Sequence, residues 1–128
     1  MQYLTTQQAE TLLSLGKSIE QWLSSEKKDD YIILKWLRID KEKDSTYSVS
    51  YIECFDDGDN SFTDIYEFSP LDPDEEYVIK IFGSAQEALE YAIISYSASI
   101  DKFVSAGMIQ EEYKDYLRVR TPPAPGSL

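Results

Sequence analysis

The side chains able to do chemistry in this chain are mostly carboxylates. Between Asp44 and Ile79 lie Asp44, Glu53, Asp56, Asp57, Asp59, Asp64, Glu67, Asp72, Asp74, Glu75 and Glu76, with no lysine, arginine or histidine among them. Acids gathered this way can hold a metal, act as a general acid–base pair, or face a cation. A calcium loop of the EF-hand kind needs oxygen ligands at its first, third and fifth positions and glycine at its sixth. Counted from Asp57, the third and fifth residues are Asp59 and Ser61 but the sixth is Phe62; counted from Asp56, the third is Gly58. The pattern fails, and Asp57-Gly58 reads instead as hairpin-turn chemistry. A pair of carboxyls at glycosidase spacing arises by chance on any acidic surface, so it singles out no reaction. Histidine, the usual general base, is absent, and Cys54 is the only cysteine. Triads and zinc sites therefore lack their usual groups. Cys54 lies within a strand pattern with no cation to activate it and reads as a buried thiol. The chain holds too few glycines for a hidden phosphate loop. No catalytic residue, cofactor or metal is indicated, and the acids read as contacts rather than as catalysts.

A formal charge of −12 and a pI near 4.3 oppose nucleic-acid binding, which runs on lysine and arginine, and oppose anionic membranes. No small molecule is indicated. The charge keeps the protein in solution or steers it toward a basic partner. A length of 128 residues fits one domain, placed at 1–120. Thr121 to Leu128, with three prolines and no core-forming run, reads as a disordered tail. Met1 is followed by no basic and apolar leader, and no apolar run reaches membrane length, so a cytoplasmic location is expected.

The elements that must position the acids read as follows. Thr5 with Gln8 forms a capping box, and Ala9, Leu12, Leu13, Gly16, Ile19 and Leu23 make one helical stripe ending near Ser24-Ser25. Tyr31 to Ile39 is a strand apolar on both faces, hence central or covered on both sides. Thr46 to Phe55 alternates as the second strand, Ser61 to Phe68 as the third and Glu75 to Phe82 as the fourth, forming an antiparallel meander. Ser84, with Glu87 three residues on, caps a long helix reaching its stop signal at Gly107. A short helix covers about Gln110 to Leu117. The fold class is α+β: an N-terminal helix, a four-stranded antiparallel meander, then a long and a short helix packed on one sheet face.

In size, acidity and α+β layout the chain resembles the small bacterial immunity proteins that neutralise toxins, many of them nucleases with basic clefts. That resemblance implies a non-catalytic protein blocking a basic partner. The contact acids would then be Asp56, Asp57, Asp59, Asp64, Asp72, Asp74, Glu75 and Glu76, with Tyr51 and Tyr66 as aromatic anchors. Two other classes fit less well. Type III secretion chaperones are similar in size and acidity, but a helix usually interrupts their strands. A small-ligand domain needs an enclosed cavity lined by convergent polar groups.

Overall fold

The computed structural model describes residues 2–74 and 77–120, without the side chain of Val78. Glu75, Glu76 and the Thr121–Leu128 segment, read above as two contact acids and a tail, lie outside the described residues. The fold is α+β, with three α-helices and a five-stranded antiparallel sheet among the described residues. In chain order these are α1 (Thr6–Ser14), β1 (Ile19–Lys27), β2 (Ile32–Lys41), β3 (Tyr47–Phe55), a 3₁₀ turn (Ile65–Glu67), β4 (Val78–Phe82), α2 (Ala85–Tyr96), β5 (Val104–Ser105) and α3 (Ile109–Arg120). The sheet order is β4-β3-β2-β1-β5.

A four-stranded meander is present, but Ile19–Lys27 is a member in place of the expected Ser61–Phe68 strand, and both long helices end early. The N-terminal helix begins at the Thr5–Gln8 capping box and stops at Ser14, where the sequence pattern continued it to Ser24-Ser25. Gly16 takes φ +82°; its N–H donates to the Leu13 carbonyl and that of Lys17 to the Leu12 carbonyl. This is the paired closure of a Schellman motif, in which glycine at the left-handed position ends the helix. Released from the helix, Ile19–Lys27 pairs with β2 as a strand. Ile19 and Leu23 therefore reach the core from a strand, and a bulge between Trp22 and Ser24 realigns the register.

The expected third strand, Ser61 to Phe68, is a connection that never joins the sheet. Asp59 turns the chain by accepting the Ser61 N–H, and Asp64 caps the 3₁₀ turn by accepting that of Tyr66. Ile65 and Phe68 are buried together, a three-residue spacing that a 3₁₀ turn puts on one side. The helix expected to run to Gly107 ends at Tyr96. Ser97 adopts the left-handed conformation at φ 58°, and the Ala98 N–H closes on the Ala92 carbonyl. Val104–Ser105 then pairs with β1.

Two cores flank the sheet. Leu37 and Ile39 of β2 and Val49 of β3 pack with Leu13 of α1 and Leu89 and Ala92 of α2. Leu34 and Trp36, Ile52 and Cys54 point the other way, toward Ile65, Phe68, and Ile109, Tyr113 and Leu117 of α3. The placement of both C-terminal helices on one sheet face is thus corrected: α2 lies on one face and α3 on the other. Having two aromatic-lined layers to fill explains why β2 is apolar on both sides.

Candidate functional site

The connection from β3 to β4, residues 56–77, carries all of the nominated acids, six of them among the described residues. It crosses the α3 side of the sheet and is fastened at two places by an acid, an arginine and a tyrosine. At the first, the Asp56 side chain is 1 % exposed and accepts from Arg120 at 2.7 Å; the Tyr113 hydroxyl donates to its other oxygen. Burial, followed by the bond to Asp56, raises the Tyr113 pKa, so this hydroxyl keeps its proton. Arg120 also donates to the Gly58 carbonyl.

At the second, Glu20 of β1 is fully buried. It accepts from Arg38 of β2 at 2.8 Å, from the Gly107 N–H at 2.9 Å, and from the Tyr66 hydroxyl. Arg38 also pairs with Asp40 at 3.0 Å, and Ser18 donates to the same Asp40 oxygen. Burial opposes the Arg38 charge, but Asp40 and Glu20 more than offset it, and its pKa ends raised. Tyr66 is 43 % exposed as a residue, yet its hydroxyl end is turned inward. Burial, then Glu20, pushes its pKa to about 12. Tyr66 and Arg38 thus keep their protons across neutral pH. The arrangement binds the 3₁₀ turn to β1 and to the turn before α3; it is poorly suited to proton transfer, which needs a group titrating near the working pH.

These geometries divide the nominated residues. Asp56 is removed from the surface set, because its charge is consumed by Arg120. Tyr51 faces the α2 side, stacked on Tyr96 with centroids 4.6 Å apart, and burial followed by Glu53 raises its pKa. Tyr66 has an exposed ring but a committed hydroxyl. Asp57, Asp59, Asp64, Asp72 and Asp74 are exposed, and none has an ion-pair partner among the described residues. Four of them still accept a backbone N–H. Asp57 accepts the Ser69 N–H, Asp59 that of Ser61, Asp64 that of Tyr66 and Asp72 that of Asp74. In the last three, aspartate favours such turns because its side chain reaches the backbone amide two residues on. Asp57 instead ties the start of the connection to a residue twelve further on, and Asp64 also accepts from the Gln110 side chain at 3.0 Å.

Gly58 belongs to this site for a reason other than a tight hairpin. Its φ is not positive, but a Cβ there would collide with the Phe62 carbonyl, the Phe68 ring and the Tyr113 hydroxyl. Glycine is needed so that the connection can lie against α3. Cys54 is buried, and burial pushes its pKa to about 12, in keeping with a structural thiol.

Sequence reasoning missed Glu20, Arg38, Tyr113 and Arg120. The Glu20–Arg38 pairing was detectable only if Ile19–Lys27 was taken as a strand. An open recess of about 320 Å³ lies beside Asp56 and Arg120, lined also by Lys27, Lys28, Asp29, Asp30, Tyr31 and Ile32. Its charges are of both signs, so it selects no ligand class. Among the described residues no helix is long and apolar enough to cross a membrane. No family model matches the sequence, and no curated protein or solved structure matches it.

Proposed function

We propose that this chain is a non-catalytic binding protein that takes a basic protein partner on the exposed acids of the β3–β4 connection. The role nearest in kind is that of an immunity protein blocking a bacterial toxin in the cytoplasm. One observation carries the reading. The buried acids Glu20 and Asp56 each have an arginine, whereas Asp57, Asp59, Asp64, Asp72 and Asp74 stand exposed on one connection without a cation partner among the described residues. Uncompensated charge concentrated on one segment repels itself, and a positive surface relieves that repulsion while accelerating encounter.

The test keeps the turns and removes the charge. Asparagine preserves the side-chain oxygen that accepts each backbone N–H, so the combined Asp57→Asn, Asp59→Asn, Asp72→Asn and Asp74→Asn variant should fold normally. The partner to try first is the product of the adjacent gene, by co-expression and then stopped-flow association across a salt series. The wild-type on-rate should fall steeply with salt, because screening acts over about 8 Å at physiological ionic strength. The neutralised variant should associate ~10-fold more slowly with a flatter salt dependence. An unchanged rate in a folded variant would reduce the acids to a solubility device.

A further inference from the structure

The two edges of the sheet are finished differently. At one edge β5 is a two-residue strand, Val104–Ser105, followed at once by the turn into α3. A short edge strand leaves little to pair with. At the other edge β4 runs Val-Ile-Lys-Ile-Phe without proline or glycine. It pairs with β3 in unbroken register from Tyr51–Val78 to Tyr47–Phe82, and nothing in the sheet order lies beyond it. Its backbone groups on the outer side therefore have no strand partner among the described residues. Tyr77, Ile79 and Ile81 alternate along this edge and are 41 %, 55 % and 59 % exposed. Their neighbours on β3 are Ser50, opposite Ile79, and Ser48, opposite Ile81. The roof of α3 and the 3₁₀ turn sits over Leu34, Trp36, Ile52 and Cys54, and it stops short of this corner. Lys80, the charge that blunts many edges, points the other way, with its ammonium 5.4 Å from the centre of the Tyr91 ring.

Charge at both ends of the strip states what fits it. Asp72 and Asp74 are exposed in the turn that leads into β4. At the far end Glu42 accepts from Ser48, the register partner of Ile81. An apolar strip with free backbone groups and acids at each end is complementary to an extended segment that carries apolar residues at alternate positions and cations at its two ends. A second copy of this chain would instead bring another −12 to the same edge.

We infer that β4 is the docking edge, and that the basic partner adds a strand to it, apolar side chains over Ile79 and Ile81 and cations toward Asp72, Asp74 and Glu42. This rests on the proposed acidic binding function and specifies its geometry.

The probe is a heptapeptide with valine at alternate central positions and lysine at both ends, Lys-Thr-Val-Thr-Val-Thr-Lys, compared with a block peptide of the same composition, Lys-Lys-Val-Val-Thr-Thr-Thr. Binding is followed by amide NMR shifts and hydrogen exchange of the whole protein. The alternating peptide should slow exchange of the β4 amides that point away from β3. It should bind ~10-fold more tightly than the block peptide, since only alternation matches the period of a strand. The Ile79→Thr/Ile81→Thr variant, altered at exposed positions and therefore still folded, should lose most of that difference. Equal binding of both peptides, with shifts confined to the Asp57–Asp74 connection, would overturn strand addition and leave the acidic-surface reading standing. Absence of binding by either peptide at low salt would overturn both. Self-association of the protein alone, with protection of β4 at rising concentration, would make a second copy the occupant and overturn the inference.

Discussion

Glu20 and Asp56 differ from Asp57, Asp59, Asp64, Asp72 and Asp74 in what their charge is spent on. The first two are buried, each held by one arginine and one tyrosine. Both pairs join segments remote in sequence: Arg38 lies 18 residues from Glu20, and Arg120 lies 64 from Asp56. The exposed five pair with no cation among the described residues: Asp59, Asp64 and Asp72 shape their own turns, Asp57 reaches the Ser69 N–H, Asp64 also accepts from the Gln110 side chain, and their charge is left in water. The same residue type in the same acidic chain thus acts as a clamp in one setting and as a free charge in the other. Burial and the presence of an arginine decide which, and neither is a property of the acid itself.

If that division is right, removing an arginine should hurt most, because the acid it leaves behind cannot move into water. Arg120→Ala leaves Asp56 beside the Tyr113 and Tyr116 hydroxyls but without its cation and should cost about 3–5 kcal/mol, the range for breaking a buried pair from one side. Arg38→Ala should cost less, since Tyr66 and Gly107 still donate to Glu20. Urea unfolding measures both. Losses below about 1 kcal/mol in both variants, within the range of a surface pair, would erase the distinction between the two groups of acids.

Gly58 sharpens the comparison from the packing side. It lies between Asp56, clamped against α3, and Asp59, free in solvent. Gly58→Ala inserts a methyl where the Phe62 carbonyl, Phe68 and Tyr113 already sit. It should destabilise by about 1–3 kcal/mol, the usual cost of overpacking. Gly83, whose added Cβ would meet nothing closer than a Glu87 oxygen at 3.9 Å, is the control. Equal melting temperatures for Gly58→Ala and Gly83→Ala would show that the connection is loose against α3.

What the sequence made legible follows the range of the interactions. The Thr5 and Ser84 caps are local, each satisfied three residues on, and both were readable. The two-sided apolar pattern of β2 was readable because it records burial directly. Gly16 was misread because it falls on the helical stripe, and the same glycine serves equally as an interior residue or as a Schellman stop. Ser97 was passed over because a serine at positive φ carries no composition signal, so the helix was extended to the next glycine. At Ser61 to Phe68, alternation and three-residue spacing both fit, and the Asx turns of Asp59 and Asp64 decided for the latter. The contact set was read from charge alone, which is why Asp56 was grouped with its exposed neighbours.

High pH tests the tyrosine half of the clamps and the thiol beside them. A tyrosine or cysteine whose folded pKa is raised contributes stability that is complete below its unfolded pKa and is lost as pH climbs through the folded value. Cys54 is raised from an ordinary value of 9.0 to about 12, by burial first. Tyr66 is raised from 10.0 to about 12, by burial and then by Glu20, and Tyr113 is raised by burial and then by Asp56. The melting temperature should therefore be insensitive to these groups at neutral pH and should decline from about pH 9 upward. In Cys54→Ala the decline should begin nearer pH 10, where the tyrosines take over. A native thiol that reacts quickly with a labelling reagent at pH 8, or a Cys54→Ala curve parallel to wild type, would remove Cys54 from this account.

The smallest expected effect on stability belongs to the exposed acids. The bonds that Asp57, Asp59 and Asp72 accept from backbone amides survive replacement by asparagine, because the accepting oxygen is retained. Their mutual repulsion is relieved by removing charge, which favours the folded chain slightly. The Asp57→Asn, Asp59→Asn, Asp72→Asn and Asp74→Asn variant should therefore unfold within about 0.5 kcal/mol per site of wild type, as surface substitutions away from packing usually do. Any net change should lean toward greater stability at low salt and fade as salt rises. A loss of several kcal/mol would mean that these carboxylates are clamps like Glu20 and Asp56. The case for a free acidic surface awaiting a basic partner would then lose its footing, because the charge would already be spent within the fold.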